Sequence, residues 1–220
     1  MIFVEKQLLT GVTDRACGRI FSDLEFRKCT IEGCAISVTR DLKARNTYRN
    51  VRIIDCSVRG CMLFPANIED ALIENLKTYN LLMCMGAVFK HVELKGRIGK
   101  IMIRDQEGFE GAYLDYYRTV DWALDISKAE FQELDLRSVP AKLVIRDPET
   151  QVVVKRYKAE EGLWKQLPLS HTWWPVSLQW FVKRKECDDV VLVAPKRHPR
   201  FKELLGGLQL LRREGIAEPD

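Results

Sequence analysis

The chain has 220 residues with 35 Lys and Arg against 31 Asp and Glu, which gives a net charge of +4. This charge is small and diffuse, so it argues against a heavily acidic DNA mimic and against a strong nucleic-acid footprint. No apolar run reaches the roughly 18 residues of a membrane span. The first residues also lack the basic flank and apolar stretch of a secretory signal. We therefore expect a cytoplasmic protein with no membrane partner.

The first twelve residues, MIFVEKQLLTGV, contain two short apolar runs. We expect a short strand or turn here. Stacked repeats expose strand edges at both ends, and such edges need a cover. This segment is a candidate cover for one end of the repeats that follow it.

A five-residue pattern is most regular between Val51 and Val88. The first slot of each unit is small or apolar, and the second slot, two residues later, is mostly large and apolar. The first slots are Val51, Cys56, Cys61, Ala66, Ala71, Leu76, Leu81 and Gly86. The second slots are Ile53, Val58, Leu63, Ile68, Ile73, Thr78, Met83 and Val88. Neither the helical period nor simple strand alternation keeps this phase over such a length.

Two shorter blocks repeat the pattern in other phases. Their first slots are Leu24, Cys29 and Cys34, then Leu124, Ala129 and Leu134. Their second slots are Phe26, Ile31 and Ile36, then Ile126, Phe131 and Leu136. Residues 37–50 interrupt the phase, and residues 91–120 form a looser stretch with Val92/Leu94 and Ile101/Ile103 as isolated inward pairs.

These units resemble the pentapeptide-repeat family, and Ala66–Asp70 (ANIED) is the closest single unit. The resemblance covers roughly residues 20–141. It implies a right-handed quadrilateral β-helix, with one unit per face and four faces per coil. The chain departs from the family pattern at two kinds of position. Several first slots hold a bulky leucine, and Met62, Leu72 and Leu82 are apolar where the family prefers a polar residue.

Stacked coils bury the apolar face that a single coil cannot bury alone. Residues twenty apart should then lie one above another, so we expect Val51 under Ala71, Cys56 under Leu76 and Cys61 under Leu81. The predicted fold class is mainly β. It is a right-handed, pentapeptide-repeat-like β-solenoid of about five coils over residues 1–141, followed by a C-terminal α+β cap.

The cap is predicted over residues 142–220. The stretch KLVIRDPETQVVVKRY indicates a β-hairpin around an Asp-Pro turn, and DDVVLVA indicates a buried strand. Leucines at helical spacing predict a final helix that starts near Pro199 and ends at Gly215. The tryptophan-rich stretch between hairpin and strand contains Trp173 and Trp174. They predict either an exposed aromatic platform or a plug for the open solenoid end.

The chemistry-bearing residues form no recognisable catalytic pattern. Cys29, Cys34, Cys56 and Cys61 are five residues apart within each pair, which is not the spacing of a zinc knuckle, so we expect buried structural thiols. The three histidines form no helical pair, and no nucleophile elbow, phosphate loop or dinucleotide fingerprint occurs. We therefore predict no metal, no cofactor and no enzymatic activity.

One further aromatic cluster marks an interface or a packed loop. It holds Tyr113, Tyr116, Tyr117, Arg118 and Trp122. Aromatic residues and arginine are favoured anchors of protein interfaces. Together with Trp173 and Trp174, these residues are the candidate protein-binding site. The alternative, a long loop packed against the solenoid flank, remains open.

The leading functional hypothesis is a non-enzymatic scaffold that binds another protein, such as a bacterial regulatory or toxin-neutralising (immunity-type) protein. One alternative is a nucleic-acid-related or gyrase-related pentapeptide-repeat protein that uses the basic region at residues 183–202. Another is a carbohydrate-active enzyme that uses acids such as Asp55, Glu69, Asp70 and Glu74. The sequence leaves the partner, the pathway and the oligomeric state open.

Overall fold

The computed structural model describes residues 1–106, 111–184 and 187–218, and it is mainly β with predominantly parallel pairing. Ladders of parallel strands, here named A, B and C, run through the first two thirds of the chain. Ladder A contains β1 (Ile2–Glu5), β4 (Ile20–Arg27), β7 (Asn46–Ile54), β10 (Ala66–Glu74) and the start of β13 (Val88–Arg104). Ladder B contains β2 (Leu8–Thr10), β5 (Thr30–Glu32), β8 (Ser57–Arg59) and β11 (Lys77–Thr78).

Ladder C contains β3 (Thr13–Arg15), β6 (Ala35–Val38), β9 (Met62–Leu63), β12 (Leu82–Met85), the end of β13, and β15 (Ala129–Leu136). The long strand β13 therefore belongs to ladders A and C at once. Two short strands, β14 (Leu124–Asp125) and β16 (Val144–Ile145), extend ladder A beyond β13 by parallel pairing.

The predicted register of twenty residues is confirmed between β7 and β10 of ladder A and between β8 and β11 of ladder B, whereas the other layers of these ladders have longer offsets. Ile53 lies beside Ile73, and Val58 lies beside Thr78. In ladder C, however, Met62 lies beside Met83, one position further along the chain than the period predicts. The predicted position of Cys61 under Leu81 is therefore wrong by a single position, because the bend after Thr78 is longer than the turn at Gly60.

Left-handed backbone residues mark the corners between neighbouring ladder segments. Within each block they recur every five residues, at Lys6, Gly11, Asp23, Lys28, Gly33, Asn50, Asp55, Gly60, Asp70, Asn75, Gly86, His91 and Gly96. A positive φ is unfavourable for most residues, and Asn and Asp tolerate it best. Their side chains also bond between layers: Asn75 Nδ2 donates to Asp55 Oδ1 at 3.0 Å, and Asn50 Nδ2 donates to Asp23 Oδ1 at 2.6 Å.

First-slot side chains form the interior of this part of the molecule. Cys29, Cys56, Ala66 and Leu76 are at most 2% exposed. Second-slot residues such as Ile53 are partly buried and pack against the same core cluster. The first slot directly follows a corner, where space is narrow, and this explains why small residues prevail there.

The C-terminal unit contains an antiparallel sheet of β17 (Gln151–Lys155), β18 (Asp189–Val193) and β19 (Ala217–Glu218). It also contains the helices α2 (Arg156–Glu161), α3 (Trp174–Lys183) and α4 (Phe201–Arg213). Helix α1 (Leu114–Tyr117) lies earlier in the chain, and short 3₁₀ turns occur at Leu42–Ala44, Ala141–Leu143 and Leu163–Gln166.

The β17–β18 pair separates two cores. Val153, Val191 and Val193 pack with the interior of the ladders. Their alternating neighbours, which include Val152 and Leu192, pack with the helices in a second core. Because Leu136 of β15 pairs with Val191, the valine face of this sheet covers the last strand of ladder C.

Several sequence expectations for the two ends change. The predicted hairpin around Asp147 is wrong: β16 pairs with β14, while β17 pairs with β18 and β19. Trp164 and Trp174 lie in the second core and do not plug the ladder interior. The segment MIFVEKQLLTGV forms β1 and β2, which are the first strands of their ladders and do not cover them. The strand in DDVVLVA and the final helix, with Gly215 just after it, are confirmed.

Candidate protein-interaction surface

The tyrosine cluster packs the segment of residues 111–122, called the insertion below, against the outside of ladder A. Tyr113 and Tyr117 are buried, at 4% and 5% exposure. The Tyr117 hydroxyl accepts a hydrogen bond from the Phe89 backbone N–H at 3.2 Å. Tyr116 donates its hydroxyl proton to Glu69 Oε1 at 3.1 Å. Burial raises the pKa of both Tyr116 and Tyr117 above the usual value. These contacts are those of a packed loop.

Arg118 and Trp122 are placed differently from the tyrosines. Arg118 is exposed and forms a surface ion pair with Asp115 of the same insertion at 3.0 Å. Trp122 is half-buried, and its ring lies 4.8 Å from the ring of His91. The structure therefore does not unite the five residues of this cluster into one exposed patch.

His91 lies between two carboxylates at a left-handed corner. Its Nδ1 is 3.1 Å from Asp70 Oδ1, and its Nε2 is 2.6 Å from Asp121 Oδ1. The hydrogen bond with Asp121 is the main cause that raises the pKa of His91 above its usual value, and Asp70 adds to it. The same bond lowers the pKa of Asp121. This cluster joins the end of the insertion to ladder A.

The two adjacent tryptophans occupy different environments. Trp174 is 2% exposed, and its indole N–H donates to the Leu204 carbonyl at 2.9 Å. Trp173 is half-buried and packs edge-on against Trp174 and His198. Of the pair, only Trp173 combines partial exposure with a place at the rim of a groove.

This groove lies where β15 and β18 diverge from their single bridge at Leu136 and Val191. Its volume is about 220 Å³. One wall is formed by residues 133–137, the other by Val190–Val193, and Trp173, Trp174 and Ser177 line the α3 side. The lining is mixed, with aliphatic and aromatic groups beside Asp135 and Arg137, which form an ion pair at 2.6 Å.

A row of methionines leads along the outer face of ladder C towards this groove. Met62 pairs with Met83, Met83 with Met102, and Met102 with Asp135. Their strand neighbours Leu63, Cys84, Ile103 and Leu136 belong to the interior cluster. Because side chains alternate between the faces of a strand, the methionines point outward. Met85, two residues beyond Met83, also lies on this face. We call Met62, Met83, Met85 and Met102 the methionine stripe.

The sequence contained only part of the signal for this stripe. Met62 already stands out as apolar at a position where the family pattern prefers a polar residue. The assignment of Met83 to an inward second slot is wrong: the interval from Met62 to Met83 is one residue longer than the regular period, so Met83 points outward and its neighbours Leu82 and Cys84 pack with the core. Met102 follows at a shorter interval, so it too falls outside the regular pattern. Only the observed register aligns them in one row.

Five of the seven cysteines lie inside the ladders, namely Cys29, Cys34, Cys56, Cys61 and Cys84. The Sγ atom of Cys56 accepts from the Cys29 N–H at 3.4 Å, and that of Cys61 accepts from the Cys34 N–H at 3.3 Å. Burial raises the pKa of Cys56 and Cys61, and that of Cys84 to about 12. Within the described ranges no group of metal-ligating side chains converges.

The acids and bases considered for other functions have separate partners. Glu69 binds Arg49, Glu74 binds Lys95, and Asp55 accepts from Asn75. In the basic C-terminal region, Lys196 pairs with Asp147 and Arg200 with Glu203. Lys183 and Arg184 lie over the Trp180 ring. These contacts disperse the charges over several faces.

Comparisons with known proteins give no match. No family model fits the chain, and neither does any curated protein or solved structure. Among the helices of the described residues, none has the length and apolar character needed to cross a membrane.

Proposed function

We propose that this chain is a non-enzymatic protein-binding scaffold built on a right-handed β-solenoid of the pentapeptide-repeat type. Three features support the solenoid. Parallel strands recur at an interval of about twenty residues in the most regular part of the chain, as the pairs Ile53–Ile73 and Met62–Met83 show. Left-handed corners recur every five residues. First-slot side chains from ladders A, B and C enter one shared core cluster. Rigid repeats suit binding, since little ordering is needed when a partner docks.

The observation that carries the proposal is the methionine stripe. Four apolar side chains line the outside of one ladder, where a solenoid needs polar residues for solubility. Methionine is flexible and polarizable, and it adapts to apolar groups of a partner. Arg104, whose Nε lies 3.5 Å from Met85 Sδ, and the Asp135–Arg137 pair add polar groups beside the stripe. An apolar centre with a polar rim is typical of protein interfaces.

The stripe and the β15–β18 groove form one continuous candidate surface. Asp135 belongs to the methionine row and also lines the groove. Trp173 at the far side of the groove supplies an aromatic anchor of the kind that dominates binding energy in interfaces. The partner that fits is a protein with an exposed apolar segment. A cytoplasmic location and a bacterial regulatory or immunity-type role remain parts of this proposal.

The arrangement of charges favours a protein partner over the two alternatives. Phosphate binding needs several cations on one face, whereas several of the C-terminal cations are engaged with acids or aromatic rings. Glycoside hydrolysis needs two carboxyl groups that flank one bond, whereas Asp55, Glu69, Asp70 and Glu74 each have their own partner and none lines the groove.

The test is a comparison of paired baits. A Met83→Glu, Met102→Glu variant places two charges on the stripe, while the inward strand residues remain unchanged. We expect a partner that wild-type protein retains from the source cells to be lost by this variant, with affinity reduced at least about tenfold for loss of an interface centre.

The control bait is Tyr79→Glu. Tyr79 is 46% exposed and directly follows β11 of ladder B, away from the stripe. This variant should retain the same partner with unchanged affinity, as measured by calorimetry on the purified pair. Equal retention by the stripe variant and by wild type contradicts the proposal.

A further inference from the structure

The first strand of each ladder has an open edge. Among residues 1–106, 111–184 and 187–218, β1 pairs only with β4, β2 only with β5, and β3 only with β6. The outer backbone groups of these strands therefore lack a strand partner in this part of the chain. Such edges are the usual sites at which another strand adds.

The same end of the molecule exposes apolar side chains. Ile2, Phe3 and Leu8 on β1 and β2 are 64%, 55% and 61% exposed. Val12 and Ile20, close by in the chain, are 46% and 64% exposed. Scattered single apolar residues are normal on a surface, but this group is concentrated at one end, as in a docking surface.

The β1 and β2 strands are short, with four and three residues, and β1 ends on the charged Glu5, but their backbone geometry is regular up to the edge. Neither strand contains proline, and the one register irregularity among the first three strands lies in β3, between Thr13 and Arg15. The corner residues Lys6 and Gly11 have positive φ like those of later layers. The regular geometry thus extends to the edge, and another layer of strands fits at about the normal 4.8 Å spacing.

The opposite end restricts what this layer can be. There the valine face of β17 and β18 covers β15, so a second copy cannot continue ladder C head-to-tail, whereas ladder A ends at β16, which pairs only with β14 among the described residues. Two identical chains can still meet head-to-head around a two-fold axis. Such an isologous contact is closed and stops at a dimer.

We propose that the β1–β2 edge docks a second copy of this chain in a head-to-head dimer. The two-fold axis passes between Glu5 and Lys6, so that β1 of each copy lies antiparallel over β2 of the other. Glu5 and Lys6 are adjacent and exposed at this corner. The axis brings Glu5 of one copy towards Lys6 of the other, which makes the edge complementary to itself in charge as well as in apolar surface.

Sedimentation equilibrium over a range of concentrations tests the proposal. Wild-type protein should show a monomer–dimer equilibrium and no larger species. Leu8→Lys should weaken dimerisation at least about tenfold, because each copy then places a charged side chain against the apolar β1 strand of the other copy. Val176→Lys is the control, since Val176 is 55% exposed on α3 in the C-terminal unit. It should leave the dimerisation constant unchanged.

A charge exchange keeps the test independent of any folding defect. Glu5→Lys and Lys6→Glu should each weaken the dimer, and the double variant should restore it, because the opposite charges then meet again with their positions swapped. Wild-type protein that remains monomeric, assemblies that grow without limit, or a double variant as weak as both single variants would overturn the proposal. None of these results bears on the methionine stripe, which lies on a different face.

Discussion

At the scale of single residues, the sequence pattern predicts well which residues of the repeats are buried, but it predicts poorly whether the clustered tyrosines are buried or exposed. Cys56, Ala66 and Leu76 are buried as their spacing predicts, because the period fixes which side chains point inward. Tyr113 and Tyr117 lie in an irregular insertion, where no period indicates the direction of a side chain. Their burial follows from tertiary contacts, such as the bond from the Phe89 N–H, which the sequence does not reveal.

The His91 cluster predicts a pH-dependent contribution to stability. The pKa of His91 is raised in the folded state, chiefly by Asp121, so the stabilising contribution is fully present below the unfolded pKa of about 6.5 and is lost as pH rises through the folded value. We expect wild-type stability to fall with rising pH across this window. The His91→Asn variant should show a flatter profile, since asparagine tolerates the left-handed corner and does not titrate.

Urea unfolding at a series of pH values measures this effect, and an NMR titration of the imidazole gives the pKa directly. The effect should be small, because Asp70 and Asp121 are largely exposed and water screens their charges. His171→Gln, which changes an exposed histidine of the C-terminal unit, is the control. Parallel pH profiles for wild type and His91→Asn would contradict this assignment.

At the scale of elements, the strands of the repeats are more predictable than the partners in the C-terminal unit. Strands such as β8 and β10 follow from the repeated slots. The pairing of β16 and β17 does not, because short apolar runs beside a turn allow several partners, and tertiary packing selects β14 for one and β18 for the other. The two glycines in α4 also have different roles that sequence alone does not separate.

These adjacent glycines give a matched prediction for helix α4. A Cβ at Gly207 would approach Trp174 Cδ1 to 2.6 Å and Nε1 to 2.7 Å, whereas a Cβ at Gly206 meets nothing within 4 Å. We expect Gly207→Ala to lower the free energy of unfolding by about 1–3 kcal/mol through overpacking. We expect Gly206→Ala to raise it by up to about 1 kcal/mol through helix propensity.

Chemical denaturation followed by tryptophan fluorescence compares the two variants. Trp174 is in the affected contact, so Gly207→Ala should also change the native fluorescence spectrum. Equal stabilities of the two alanine variants would show that α4 does not approach Trp174 as closely as described.

At the scale of the whole molecule, the proposed function depends on the outward faces of the ladder strands, whose side chains do not contribute to the core. Most inward slots could be predicted from spacing, with Met83 as an exception. The methionine stripe could not, since its alignment depends on bends of unequal length between Met62, Met83 and Met102. The open β1–β2 edge was also missed, because an apolar terminal segment reads equally well as a cover or as a first layer.

Deletion of one repeat tests the central claim, that a five-residue period assigns the inward and outward faces. Removal of residues 55–74 takes out twenty residues, which is four five-residue units, and joins Ile54 to Asn75, so that the left-handed corner at Asn75 replaces the one at Asp55. Ladder order and slot phase are then preserved. We expect this shortened chain to unfold cooperatively in urea, with a smaller dependence on urea concentration because less surface is buried. Deletion of residues 55–72 removes 18 residues, which is not a multiple of five, so the slots that follow fall out of phase and cooperative unfolding should be abolished. If this shorter deletion is tolerated as well as the longer one, the account is contradicted.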